Sequence, residues 1–262
     1  MKKFVLFLSL GIISVLTFTF LWINDWEKPD LSDKKYYIAH AGGGIDGYIY
    51  TNSKEAILQS LQKGYQYIEV DLNLTADSIL VLAHDWKSFN KMTQQDSSLN
   101  TVPTFEDFKQ RKIQGKYTPM SVKDLLEIWK HHPFTIVTDK ISDPILLNKY
   151  FTENRSSIMV EAFSDKDYFD LKTAGYLPMR AFDRITLYRN HKLLKDGTGF
   201  EWITMHANSN LFYVRILRKL YGTKIATFRD TSYDEEGFLK KHLAKDFDLI
   251  YTDTWGLTHH LK

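Results

Sequence analysis

From residue 36 onward the chain alternates between two hydrophobic patterns. Short runs rich in β-branched and aromatic residues are followed by longer stretches whose apolar positions recur every three or four residues. The short runs predict strands at 36–41, 65–72, 134–139, 157–163, 176–181, 202–206, 224–228 and 247–251, with a brief extra one at 79–83. The longer stretches predict helices at 53–63, 121–131, 145–153, 166–174, 185–195, 210–221 and 235–244. Local signals support the boundaries: Asn52 or Ser53 as an N-cap, Gly64 as a stop, and Ser121 with Asp124 as a capping box. Strictly alternating strands and helices imply a parallel sheet, and eight such units imply an α/β fold closed as a TIM-type (β/α)8 barrel. In such barrels chemistry sits at the C-terminal strand ends, where His40, Glu69, Asp71, Asp139, Glu161, His206 and Asp253 all fall. Residues 86–120 break the alternation. They are polar, carry only a helical hint near 104–109, and predict an excursion on that same face, as a lid or substrate wall.

The N-terminus follows a different pattern. Lys2 and Lys3 precede an uncharged, apolar run over residues 4–23. About 20 such residues match a bilayer core and exceed the apolar region of a cleaved signal. Trp22 and Trp26 stand where an interfacial belt would lie, and the basic end would remain cytoplasmic. The expectation is one N-terminal transmembrane helix within residues 1–26, a polar linker at 27–35, and an extracytoplasmic barrel over 36–258. A cleaved signal would also place the barrel outside, as a secreted domain.

Composition narrows the chemistry. The 262 residues contain no cysteine, which excludes disulfides, thiolate catalysis and Cys-based zinc sites. The formal net charge of +2 comes to zero without Lys2 and Lys3 (2 − 2 = 0), so nothing points to nucleic acid as a partner.

The sharpest chemical signal lies between His40 and Asp85. Glu69 and Asp71 are two apart on a strand and leave the same face, an arrangement that is costly unless a cation or protons neutralise it. Hard oxygen ligands without cysteine suit Ca²⁺ or Mg²⁺. His40 and His84 each follow an apolar strand and could bracket a group held by that cation, as an acid/base pair for phosphodiester cleavage. Gly42 permits close backbone approach at the first turn, while Glu161, His206 and Trp255 are further pocket candidates.

These residues resemble the glycerophosphodiester phosphodiesterases, relatives of the phosphatidylinositol-specific phospholipases C. The family's first strand ends in His-Arg-Gly, followed by Pro-Glu-Asn-Thr, a Glu-x-Asp strand, a Thr-x-Asp-Gly turn and a His-Asp pair. Here the corresponding residues are His40-Ala41-Gly42, Thr51-Asn52-Ser53, Glu69-Val70-Asp71, Thr75-Ala76-Asp77 and His84-Asp85, with Thr252-Asp253 after the last strand. The resemblance implies His40 and His84 as acid and base, and a divalent cation on Glu69 and Asp71. It also implies a glycerol- or polyol-bearing phosphodiester as substrate, for which an extracytoplasmic barrel would find a phospholipid headgroup, a teichoic-acid-like polymer or a polysaccharide phosphodiester. Two departures stand out. Ala41 replaces an Arg that contacts phosphate, and Asp139-Lys140 lies one residue out of phase with the family's Glu-x-Lys. Asp139 is the expected third ligand and Lys140 a substrate contact, although adjacent strand residues face opposite ways. The alternative is a barrel that has lost turnover and binds an envelope polymer or a partner protein.

Overall fold

Among the described residues the short apolar runs build nine strands: β1 (Tyr37–Ala39), β2 (Tyr67–Leu74), β3 (Leu80–Leu82), β4 (Thr135–Asp139), β5 (Ile158–Ala162), β6 (Leu177–Phe182), β7 (Trp202–His206), β8 (Lys224–Phe228) and β9 (Leu249–Thr252). The computed structural model describes residues 2–25, 33–94, 101–182, 199–209, 211–228 and 246–253. The sheet runs β1-β9-β8-β7-β6-β5-β4-β2, and β1 also pairs with β2, so these eight strands close on themselves. Every pairing in the ring is parallel. β3 pairs antiparallel with β2 and lies outside the ring. The expected α/β barrel of TIM type is the observed architecture.

Strand alternation sorts the two cores. Ile38, Val137, Met159, Met179, Trp202, Ala226 and Leu249 fill the barrel interior, while Ile68, Val70, Ile136, Val160 and Ile203 pack outward under the helices. Glu69 is paired with Val137 and Asp71 with Asp139, so the acidic side chains of β2 share the interior parity. They stand on the C-terminal side of the apolar filling.

The helices are α1 (Lys2–Asn24), α2 (Lys54–Gln62), α3 (Trp86–Met92), α4 (Phe105–Gln110), α5 (Val122–His131), α6 (Pro144–Leu147), α7 (Asp165–Thr173) and α8 (Leu211–Tyr221). Ser53, rather than Asn52, caps α2, its hydroxyl accepting from the Ala56 N–H at 3.3 Å. The Ser121–Asp124 capping box at α5 forms as expected. The helix expected over 145–153 is only the short α6. Its chain turns away so that the Tyr150 hydroxyl accepts from the Leu80 N–H at 3.0 Å and Phe151 enters the core. The helices expected at 185–195 and 235–244 lie outside the described residues.

Within the 86–120 excursion, residues 86–94 and 101–120 form a lobe with its own apolar core. Phe89 of α3 and Phe108 of α4 stack at 4.8 Å, with Trp86, Ile113 and Tyr117 around them. Asp85 starts α3 by accepting from the Ser88 N–H at 2.7 Å. The lobe is tied to the turn after β1 through Asp46, which accepts from Tyr117 Oη at 2.6 Å and Lys116 Nζ at 2.7 Å.

Side chains of α1 are described at Ser9 and over residues 11–22, where Ile12, Ile13, Val15, Leu16, Phe18, Phe20 and Leu21 are exposed. Among the described residues no helix is long and apolar enough to cross a membrane. The C-terminal end of α1 lies beside α8, where Lys219 Nζ donates to the Asp25 carbonyl at 3.0 Å and sits over the Trp22 ring.

Gly42 has φ +82° in the turn leaving β1, its carbonyl accepts from Ser60 Oγ at 2.7 Å, and a Cβ there would lie 3.0 Å from Ile57 Cγ1. Left-handed backbone costs an L-residue about 1–2 kcal/mol, so Gly42→Ala is expected to destabilise the protein by at least about 1 kcal/mol in urea denaturation. An unchanged midpoint would mean that this turn relaxes freely.

Candidate active site

A cavity of about 400 Å³ opens at the C-terminal strand ends, lined by His40, Tyr50, Glu69, Asp71, His84, Asp139, Lys140, Glu161, Phe228, Tyr251 and Asp253. Strands β1, β2, β4, β5, β8 and β9 or their following residues supply most of this lining. Carboxylate oxygens of Glu69, Asp71 and Asp139 come within 4.8 Å of one another. Lys140 resolves the phase question: β4 ends at Asp139, and Lys140 takes φ +65°, which turns its side chain back over the mouth. Its Nζ lies 3.5 Å from Asp139 Oδ2, 3.8 Å from Asp71 Oδ1 and 3.3 Å from His84 Nε2.

Backbone and side-chain donors hold the acidic groups in place. The Ala41 N–H donates to Glu69 Oε2 at 2.6 Å. Asn52 grips Asp71 twice, donating Nδ2 to Oδ2 at 2.9 Å and accepting the Asp71 N–H on Oδ1 at 3.0 Å. Tyr251 Oη donates to Glu161 Oε1 at 2.6 Å. The two histidines are anchored alike: His40 Nδ1 lies 3.0 Å from Asp253 Oδ1, and His84 Nδ1 2.7 Å from Asp85 Oδ2. A carboxylate accepts, so each ring carries its proton on Nδ1 and leaves Nε2 for chemistry. His40 Nε2 is 4.0 Å from Glu69 Oε2.

Electrostatics follow from burial and crowding. Burial raises Glu69 well above the ordinary carboxylate range, and Asp71 and Asp139 push it further. Asp139 is raised by burial and then by Asp71 and Glu161. Glu161 is raised by burial against the opposing Tyr251 hydroxyl. For Lys140 burial favours the neutral form, but Asp139 and Asp71 outweigh it and raise the pKa. Asp85 goes the other way: burial opposes ionisation, yet hydrogen bonds from Ser88 and His84 bring it down to about 2.

Of the residues expected from sequence, His40, His84, Glu69, Asp71, Asp139, Lys140 and Glu161 meet in this cavity. Gly42 does not line it; its conformation serves the packing of β1 on α2. His206 is also absent from the lining. Its ring packs on Phe228 at 5.5 Å and its Nδ1 accepts from the Asn208 N–H at 3.1 Å, so it braces a rim residue. Trp255 lies outside the described residues. No described residue of 86–120 is among the lining residues, and positions 95–100 of the expected lid or wall lie outside the described residues. Ala41 is buried and acts through its N–H, leaving Lys140 as the cationic side chain among the described lining residues. Tyr50, Asn52 and Tyr251 had not been singled out for the site. Asp253, expected at a strand end and in the closing Thr-Asp pair, also lines the cavity.

The profile of the glycerophosphoryl diester phosphodiesterase family matches residues 42–173, half of the chain. The chain belongs to this family. With membership comes the enzyme class, a phosphoric diester hydrolase. Solved structures of the family share the fold at low identity. A Galdieria sulphuraria protein designated a glycerophosphodiester phosphodiesterase is 17% identical, with 86% of this chain and 96% of that one covered at a TM-score of 0.67. An Oleispira antarctica phosphodiesterase, solved with its product sn-glycerol-3-phosphate, gives 15% identity, 83% and 92% coverage and 0.66. The glycerophosphodiester phosphodiesterase of Thermotoga maritima gives 20%, 87% and 98%, and 0.60. Comparison with curated proteins gave no match.

The phosphodiesterase site fits a divalent cation on its own chemistry. Asp139 Oδ1 is buried without a hydrogen-bond partner and belongs to the same three-carboxylate cluster, so an acceptor is left facing a position where positive charge is needed. A carboxylate whose folded pKa is raised binds more protons folded than unfolded, so it lowers stability as pH rises above the unfolded value. Cation-free protein should therefore melt at a higher temperature as pH is lowered from about 8 towards about 5. Ca²⁺ or Mg²⁺ should raise the melting temperature most at the alkaline end. Differential scanning calorimetry checks both, and Glu69→Gln should flatten both dependences.

Proposed function

We propose that the chain hydrolyses a glycerophosphodiester-like phosphodiester, with a divalent cation, Ca²⁺ or Mg²⁺, held by Glu69, Asp71 and Asp139. The observation that carries this reading is the pair of imidazoles, each anchored through Nδ1 by its own carboxylate, in one cavity with the acidic cluster. Bound there, the cation would supply the positive charge that lets an anionic phosphoryl group enter the acidic mouth. Lys140 Nζ, next to His84, adds the charge that Ala41 does not. One Nε2 takes the proton of the attacking hydroxyl or water as its oxygen bonds to phosphorus. The other imidazole, protonated, delivers a proton to the alkoxide as the P–O bond breaks. Where the substrate carries a hydroxyl beside the ester, family likeness points to attack by that hydroxyl through a cyclic phosphate. The product held by the Oleispira relative supports a glycerol-bearing substrate here.

We further propose that the apolar run over 4–23, only part of whose side chains are described, holds the protein at a membrane with its N-terminus cytoplasmic and the barrel outside. Support comes from the uncharged run over 4–23 and from the exposed apolar side chains of α1. Reporter fusions after Lys35 test it, and cytoplasmic reporter activity would overturn the external placement.

Turnover is tested with bis-p-nitrophenyl phosphate and glycerophosphodiesters in Ca²⁺, Mg²⁺ or chelator. Release should require the cation, and His40→Ala and Glu69→Ala should each lower kcat by about 10²–10⁴-fold. Cation-dependent stabilisation without turnover would favour the degenerate, polymer- or protein-binding barrel.

A further inference from the structure

Tyr50 stands between the two imidazoles. Its ring meets His40 with centroids 4.5 Å apart at 72°, and His84 with centroids 5.2 Å apart at 82°, edge-to-face in both cases. The Nδ1 hydrogen bond fixes one edge of each imidazole but still lets the ring swing about it. A single aromatic ring against both closes that freedom and sets their separation. Tyr50 holds this place at φ +58°, a conformation that persists only where the surroundings enforce it. They do so on both sides. Residues 45 and 48 exchange backbone hydrogen bonds at 2.9 and 2.8 Å, and the Asn52 N–H donates to the Ala41 carbonyl at 3.0 Å. Asp46, inside that turn, is tied to Tyr117 and Lys116, and Tyr48 meets the Tyr117 ring edge-on at 6.2 Å.

We infer that Tyr50 is a positioning residue for His40 and His84, and that the lobe over 86–94 and 101–120, none of whose described residues line the cavity, acts on the reaction as the brace of Tyr50. This rests on the acid/base reading of the two histidines.

The test uses the full chain in detergent with the activating cation and bis-p-nitrophenyl phosphate. Tyr50→Phe keeps the ring and should stay within about twofold of the parent, whereas Tyr50→Ala should lose about 10–100-fold in kcat with KM within about threefold. Asp46→Ala, remote from the cavity, should lower kcat by about two- to fivefold in the same direction without raising KM. A retained cation-induced melting shift shows that each variant is folded at the site. Unchanged kcat in Tyr50→Ala overturns the inference, as does Tyr50→Phe falling as low as Tyr50→Ala, which would assign the role to the hydroxyl. A rise in KM alone also overturns it and makes Tyr50 a substrate wall. If the parent chain turns over no phosphodiester, the functional reading fails separately. Positioning is then read from the imidazole ¹H–¹⁵N signals of His40 and His84. They should shift and broaden in Tyr50→Ala and hold in Tyr50→Phe, and signals unmoved in both variants overturn the inference.

Discussion

Like charge gathered at one end of the barrel is the constraint around which the rest of this structure is arranged. The parallel register of β2 on β4 sets Asp71 opposite Asp139, with Glu69 one pleat below. No rotamer change can separate them far, because the ring is closed by β1–β2 pairing. At 4.8 Å and an effective dielectric near 20, each ionised pair costs roughly 3–4 kcal/mol. That is a large share of a domain's net stability of about 5–15 kcal/mol. The site is therefore stable only with protons, with Lys140 or with a bound cation to offset it. The cation dependence of this enzyme and its fold stability are in that sense one property.

Four of the nine described non-glycine residues with positive φ stand at the same place. Ala41, Tyr50, Asn52 and Lys140 all have positive φ, and all lie within or beside the cavity. Each left-handed turn aims one group that a regular strand or helix would have pointed elsewhere: the Ala41 N–H at Glu69, the Asn52 amide at Asp71, Lys140 over the mouth. The apolar filling beneath, from Ile38 to Leu249, is regular by contrast. Rigid strands fix where the charges stand, and strained loops fix which way their partners face.

Which parts were legible beforehand follows from the range of the interaction. Alternation within strands is local, so the barrel, the shared face of Glu69 and Asp71, and the rim positions of His40, His84 and Glu161 could be read directly. Asp139 followed by Lys140 looked contradictory because the strand end was not visible; the left-handed turn after Asp139 removes the conflict. Tyr50 could not be found, since its place depends on a turn pinned by Tyr117, 67 positions away (117 − 50 = 67). α3 was missed although Asp85, Trp86 and Phe89 carry a cap and a helical spacing, because the polar residues around them dominated the pattern. His206 shows the limit of a rim position: alone it does not decide where a ring points, and this one packs on Phe228.

Strand direction has one more consequence. The turn Lys34–Tyr36 feeds straight into β1, and His40 emerges at the other end of the barrel. Whatever precedes Lys34 joins the domain at its blind end, and from Asp25 to Asp33 the chain reaches at most about 28 Å. The entry of the chain into the barrel and the catalytic mouth thus stand at opposite poles. A surface gripping the chain by its N-terminal helix would see the closed floor of the barrel, while the open mouth looks outward at whatever diffuses past.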